Sequence, residues 1–369
     1  MTLSTHLRRN LIRGLIILAV AAVAWGGWQS IRVWRAWAGR DTLPFNLDEA
    51  REALAQLGGG GPTPTTIADP AQPDGEDVEG TLPPNITIPT SPQFSADALQ
   101  AFLIIGSDFR PERGVSVRAD VILLFLRPAD GSDPILVSLP RDLYLPNPCS
   151  TTGSYTRINA NLNGCGDTVT GPELLAVAVE DFTGVKIDHL AMFDFEGFTT
   201  IVDRVGGVDI CVDNAVRDLK SELNLPAGCS RADGTQTLAW IRSRHTQELV
   251  NGVWRSMSGV NDLTRNQRQQ QLLLEALSRL KAFRSITEFS SLVESVADAF
   301  AVDEGLTFGD AVSLAWGMRG IPVDDIKRPT IPVRDYVTEG GAYVLIPQAS
   351  FAEVLESAYP GASDTFADN

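Results

Sequence analysis

The run Asp120–Pro128, DVILLFLRP, is apolar at almost every position after its first residue. A strand with one wet face alternates apolar and polar residues, so an unbroken apolar run needs cover on both faces. LQAFLIIGSD, ending at Asp108, and PILVSLPRD, ending at Asp142, have the same character. Three such strands demand helices on either side of one sheet, and the sequence supplies them. GPELLAVAVEDFTG is an amphipathic helix with a glycine stop. HLAMFDFEGFTTIVDRVGGVDICV reads as strand, helix, Gly-Gly turn, strand. DGTQTLAWIRSR begins as helix, NDLTRNQRQQQLLLEALSRLKAF is a long helix, and residues 285–320 hold two more. YVTEGGAYVLIP has the pattern of a hairpin around Gly340 and Gly341. Interleaved strands and helices predict an α/β domain over residues 98–350, a three-layer α-β-α sandwich with a central mixed sheet. Residues 351–369 remain as a C-terminal tail.

Ahead of that domain, Gly14 to Trp28 is apolar throughout, and the run extends to Trp34 if Arg32 snorkels to the interface. Arg8, Arg9 and Arg13 precede it, as expected of a cytoplasmic tail over residues 1–13 and a transmembrane anchor over 14–34. Trp25, Trp28, Trp34 and Trp37 suit an interfacial belt. A cleaved signal peptide, cut near Ala22-Val23-Ala24, is the alternative. Both place the bulk of the chain outside the cytoplasm; the anchor makes it a single-pass protein of the cell membrane. Residues 35–97 read as an extracytoplasmic flexible linker, disordered for most of its length. It contains one short helical pattern, LDEAREALAQL, then a stretch rich in Gly, Pro, Thr and acid that cannot bury a core.

Net charge is −16, and residues 1–40 carry six arginines and no acid, which leaves −22 on the remainder. So acidic an exterior argues against nucleic acid as a partner. Cys149, Cys165, Cys211 and Cys229 all follow the anchor and form no C-x-x-C pair, which disfavours zinc and favours disulfides. Four cysteines allow three pairings. The nearest-neighbour set, Cys149–Cys165 and Cys211–Cys229, closes two local loops; free buried thiols are the alternative.

The chemistry concentrates where apolar strands begin and end. Asp108 ends one strand and Asp120 begins another, and a carboxylate at the mouth of an apolar strand needs a partner. Together they suit a divalent cation, typically Mg2+, which retains waters and bridges phosphates. The alternative is that each pairs with an arginine or caps a turn. The arginines are placed alike: Arg118 lies two before Asp120, Arg141 ends SLPRD, Arg157 opens RINAN, and Arg242 and Arg244 lie two apart in WIRSRH. If WIRSRH is extended, that pair shares a face and repels unless an anion lies between. Arg265 and Gln269 share the apolar, inward face of the long helix, and Asp262 stands one turn before Arg265. The guanidinium fork matches phosphate, so these residues suggest a phosphate or pyrophosphate clamp. No G-x-S-x-G elbow, H-E-x-x-H or Ser-His-Asp arrangement is present, and Gly58–Gly61 lacks the Lys-Ser/Thr of a phosphate-binding loop.

IIGSD, RADVILL, SLPRD, RINA, DRVGGVDI, DGTQTLAWIRSRH and DLTRNQRQQ follow one another in this order from Ala98 to Phe283. The set resembles the LytR-CpsA-Psr family of membrane-anchored cell-wall enzymes. The resemblance implies a phosphotransferase that moves a glycopolymer from a polyprenyl-pyrophosphate carrier onto peptidoglycan, releasing polyprenyl phosphate. Asp108 and Asp120 match the family's magnesium-binding aspartates. Arg118, Arg141, Arg242, Arg244, Arg265 and Gln269 match its pyrophosphate-contacting residues, and Asp262 an acidic position beside them. Arg157 stands where the family usually has lysine, keeping the charge on a larger, flatter group. By this reading Arg242, Arg244 and Asp262 are the catalytic candidates, and the implied partners are the lipid-linked glycopolymer, peptidoglycan and the membrane. A polyprenyl-pyrophosphate hydrolase, or a non-catalytic binder of lipid-linked polymer, is the alternative.

Overall fold

The computed structural model describes residues 31–32, 34–57, 80–83, 86–107, 117–243, 245–257, 268, 275, 299–318 and 321–366. The expected strands pair at the centre of a mixed α/β fold. Strand β2 (Leu99–Ser107) lies between β3 (Ala119–Pro128), antiparallel, and β7 (His189–Asp194), parallel. β4 (Ile135–Ser138) pairs with the far side of β3, and two short strands, β14 (Ala301–Asp303) and β1 (Asp41–Leu43), complete six in the order β1-β14-β7-β2-β3-β4.

Both faces of β2 and β3 are buried, as their unbroken apolar runs require. Ala101, Leu103, Ile105, Ile122, Leu124 and Leu126 face one core, shared with helix α2 (Gly171–Thr183) through Leu175, Val179 and Phe182. Alternate residues Phe102, Val121, Leu123 and Phe125 face a second core, with Val302, Leu306 and Leu314 of helix α5 (Phe308–Met318). The period of two along each strand thus supplies both layers. Helix α2 ends as expected at Gly184, whose φ of 73° suits glycine; a Cβ there would lie 2.0 Å from the Pro92 carbonyl oxygen.

A smaller core carries the second half of the site. Helices α3 (Phe195–Arg204) and α4 (Gly234–Arg242) pack there on β8 (Val208–Val212) and β11 (Gly228–Ala232). The same core takes Val216 of β9 (Val216–Asp218) and Leu223 of β10 (Leu223–Leu225). Strands β12 (Gln247–Val250) and β13 (Val253–Ser256) join the latter two in a sheet ordered β10-β9-β12-β13. Gly206 and Gly207, the expected turn, both have positive φ. β5 (Tyr144–Pro146) pairs with β6 (Tyr155–Arg157), and the expected hairpin forms as β15 (Val333–Val337) and β16 (Tyr343–Pro347).

The expected boundaries differ at both ends. Residues 41–57 are not linker: β1 extends the central sheet, and helix α1 (Leu47–Leu57) packs Leu47, Leu54 and Leu57 with Leu174 and Val177. Arg40 donates to the carbonyls of Trp37 and Leu306 at 2.7 and 3.0 Å and stacks on the Trp37 ring, itself against Phe308. Residues 351–366 are not a tail either: helices α6 (Phe351–Ala358) and α7 (Ala362–Phe366) place Phe351, Leu355 and Phe366 in the main core. Local pattern could not reveal this, because the apolar faces have partners remote in sequence. β14, three residues long, lies in a stretch expected to be helical. Most of the expected anchor lies outside the described residues, among which no helix is long and apolar enough to cross a membrane.

The cysteines form the nearest-neighbour bridges, Cys149–Cys165 and Cys211–Cys229, at separations of 16 and 18 residues. The protein denatured without reductant should titrate no thiol, and replacing either pair by serine should lower stability by roughly 3 kcal/mol on chain-entropy grounds. A second prediction concerns pH. His189 Nδ1 lies 3.3 Å from each carboxylate oxygen of Asp303, which also accepts the Leu190 N–H. The hydrogen bond to Asp303 raises His189 above its ordinary value of 6.5 despite burial, and the charges of Asp303, Asp188 and Asp310 add to it. A raised folded value means the protonated ring stabilises the fold fully below 6.5, and that this is lost as pH climbs through the raised value. The melting-temperature gap between wild type and His189→Gln should therefore be widest below pH 6.5 and narrow above it.

Candidate active site

Sheet register decides what meets. Ser107 at the end of β2 is in register with Asp194 at the end of parallel β7, and with Ala119 at the start of antiparallel β3. Two chain exits and one entry thus share one edge. β4 runs toward it as well: Leu139 continues the ladder with an N–H to the Ile122 carbonyl, and Pro140 then delivers Arg141. In open α/β sheets the crevice beyond such strand ends is where ligands sit.

Asp120, the second residue of β3, is half-buried at this edge and accepts Arg141 Nη1 at 2.6 Å. The alternative that spacing had left open, pairing with an arginine, is realised for Asp120. Arg141 Nε also donates to Asp142 Oδ2 at 3.4 Å, and Asp142 Oδ1 lies 3.6 Å from Arg157 Nε. Arg157, the last residue of β6, directs Nη2 and Nε at the Tyr343 carbonyl, 2.7 and 3.2 Å away. Charges alternate along Asp120, Arg141, Asp142 and Arg157. Asp142, 6% exposed, sits between two guanidiniums that would otherwise repel. Its backbone is fixed too, its carbonyl accepting the Leu345 N–H at 2.9 Å. From the sequence Asp142 of SLPRD, like Asp262, is a candidate general base; its place between two arginines was not legible there. Arg118 is half-buried one residue ahead of β3.

Arg242 reaches the edge from the other core. It is the last residue of α4, so the helix runs further than an extended WIRSRH would allow, and the chain becomes extended only at Ser243. The argument that Arg242 and Arg244 share a face by strand geometry therefore fails at Arg242. The Arg242 guanidinium lies 4.4 Å from the centre of the Phe195 ring. Phe195 follows Asp194 directly, which puts Arg242 beside the shared strand ends. Arg268, from the same motif as Arg265 and Gln269, stacks on Trp240 at 3.8 Å, two residues before Arg242. Burial lowers the Arg268 pKa. Asp108, Arg244, Asp262, Arg265 and Gln269 lie outside the described residues, and among the described ones no group of three potential metal ligands assembles.

The arrangement is an α/β domain whose central sheet gathers arginines and carboxylates at one edge. A family model described as the LytR_cpsA_psr family matches residues 74–359. The chain belongs to that family. Over 247 residues it is 32% identical to a Corynebacterium glutamicum protein named "Probable cell wall biosynthesis protein LcpB", covering 65% of this chain and 53% of that one. The cell wall biosynthesis protein LcpA of the same organism is 29% identical over 318 residues, 73% of this chain and 58% of LcpA. TagV of Bacillus subtilis, a polyisoprenyl-teichoic acid–peptidoglycan teichoic acid transferase, is 24% identical over 69% of this chain and 62% of its own. The chain thus spans about half to three-fifths of the length of these curated relatives. Among solved structures, the LytR-Csp2A-Psr enzyme from Actinomyces oris superposes with a TM-score of 0.59 at 24% identity, covering 74% of this chain and 94% of its own. B. subtilis TagV gives 0.57 at 22%, covering 73% and 97%. At these identities the fold is what is shared.

Replacing Asp142 by asparagine should take a carboxylate from both Arg141, which keeps Asp120, and Arg157. Removing one partner of a buried pair costs about 3–5 kcal/mol, and both guanidiniums here keep some solvent, so a loss near 3 kcal/mol is expected in urea unfolding.

Proposed function

We propose that this protein is a phosphotransferase that moves a glycopolymer from a polyprenyl-pyrophosphate carrier onto peptidoglycan and releases polyprenyl phosphate. We infer further that it works at the outer face of the cell membrane, with residues 14–34 as its anchor and a three-layer α-β-α domain outside. One observation carries the reading: Asp120, Arg141 and Arg242, from β3, the β4 exit and α4, converge where β2 and β7 end. Guanidiniums at strand ends are suited to a pyrophosphate, and the family supplies the substrate class, since TagV is named as a teichoic acid transferase acting on peptidoglycan.

A peptidoglycan hydroxyl attacks the polymer-side phosphorus. The bond from that phosphorus to the bridging oxygen breaks, and the oxygen departs with polyprenyl phosphate, which takes up the hydroxyl proton. Such a reaction depends on positioning and charge neutralisation more than on covalent help from the protein. Arg118, Arg141, Arg242, Arg244, Arg265 and Gln269 donate to the two phosphates. Arg157 acts one step back, through Asp142 on Arg141. Asp262 stands beside Arg265 in the sequence and orients it. Asp108 and Asp120 would hold Mg2+. Asp120 suits that role in its chemistry, as a half-buried carboxylate at the strand edge with one oxygen on Arg141, and Mg2+ takes its remaining oxygens from water and phosphate. The ion would neutralise charge on the leaving phosphate.

The test is transfer of labelled polymer by the purified full-length chain. Arg242→Ala should keep its fold and lose roughly 10- to 100-fold in kcat/KM, the scale of one charge-assisted hydrogen bond. Excess chelator should abolish transfer and Mg2+ restore it. Near-normal turnover by Arg242→Ala would end the clamp, undiminished transfer in chelator would remove the metal, and label released to solution would make the protein a hydrolase.

A further inference from the structure

Asp218 ends β9 far from Arg242 in sequence, yet is 3% exposed and bound to the turn that follows α4. Its Oδ2 accepts the Ser243 hydroxyl at 2.7 Å and the His245 N–H at 3.0 Å; its Oδ1 accepts the Lys220 N–H at 2.9 Å. Ser243, 1% exposed, also lies 2.5 Å from Thr246 Oγ1. A hydroxyl has one hydrogen, and Ser243 gives its own to Asp218, so Thr246 is the donor in that contact. The strand register produces this: β12 pairs antiparallel with β9, Gln247 opposite Arg217, so residues 243–246 arrive beside Asp218. At the surface, Lys220 Nζ approaches His245 Nε2 at 3.3 Å.

Three buried polar residues in one network are expensive to bury and need a reason. The helix does not supply one, since a serine or water would satisfy its last carbonyls at less cost. What the network fixes is the chain just after Arg242 and on both sides of Arg244 in sequence. We propose that Asp218 is the positioning residue of Arg242, holding Ser243 and His245 so that the end of α4 presents the Arg242 guanidinium to the pyrophosphate. Burial alone would raise the Asp218 pKa, but the hydrogen bonds from Ser243, Lys220 and His245 hold it below the ordinary carboxylate value. Asp218 is thus the ionised, acceptor-only group that all three donors require.

The proposal rests on the pyrophosphate reading, so the test separates the two. Binding of geranylgeranyl pyrophosphate and of geranylgeraniol to the full chain in detergent is measured for wild type, Asp218→Asn, Ser243→Ala and Ser243→Thr. Asp188→Asn is the control, a carboxylate that accepts the Ala101 N–H elsewhere in the domain. Asp218→Asn should weaken the pyrophosphate roughly 10-fold and leave the alcohol unchanged, on the scale of one misaligned charge-assisted bond. Ser243→Ala should move the same way by less, Ser243→Thr should recover, and the control should bind both as wild type does. If Asp218→Asn does not fold, the Ser243 pair decides. Equal losses for both ligands would make the network merely structural and overturn the proposal, as would no loss for either. No wild-type preference for pyrophosphate over alcohol would overturn the clamp, and this proposal with it.

Discussion

Everything at the site depends on β2 being paired on both sides, with β3 antiparallel and β7 parallel. An antiparallel neighbour begins where its partner ends; a parallel neighbour ends where its partner ends. With one of each, Ser107, Ala119 and Asp194 arrive at one edge, with Arg118 just before Ala119 and Phe195 just after Asp194. The pairing is secured by burial on both faces. A slip of one residue would turn Leu103 and Ile105 out of one core and Phe102 out of the other. The chemistry therefore inherits its geometry from apolar packing.

Packing places the charges, but they must also tolerate each other. Arg141 and Arg157 are not left facing: Asp142 lies between them and Asp120 takes the far side of Arg141. The half-buried Asp120 pair is worth about 1 kcal/mol or less as an ion pair, so its role is orientation more than stability. The same solution recurs on the other side, where the buried Asp218 lies against the turn after Arg242. Two acids, Asp142 and Asp218, thus stand one step behind the arginines of the edge.

How much of this was legible in the sequence follows from how local each feature is. The runs at Leu99 and Asp120 announced central strands because both faces had to be covered. The helix before Gly184, the Gly206-Gly207 turn, the hairpin at Gly341 and both disulfides depend on short-range pattern and were readable. β14 was not, since its three residues become a strand only by pairing with β1 and β7. Arg242 was recognisable as a site residue but not as helical, because the break at Ser243 is set by Asp218, 25 residues earlier. Asp218 had no signal of its own: in VRDLK it reads as a surface acid. A buried acid whose partners are backbone N–H groups and one serine leaves no mark in composition.

The acidic, Gly- and Pro-rich stretch looked like a tether between anchor and domain, but the segments on either side of it both pack on that domain. Ahead of it, Arg40 is fastened to Leu306, β1 to β14, and α1 to the Leu174–Val177 face of α2. Behind it, Gly80 exchanges backbone hydrogen bonds with Tyr155 at 3.1 and 2.8 Å. A chain pinned at both ends to one domain does not set the distance from that domain to anything else; it closes a loop, at an entropic cost that grows only slowly with length. The distance from the anchor proposed over residues 14–34 would be set instead by residues 35–40, which include the packed Trp37 and Arg40. That short connection would hold the domain close to the proposed anchor. For the proposed transfer from a membrane lipid, so short a connection would keep the arginine edge near one height above the bilayer, and would leave the remaining search to the acceptor.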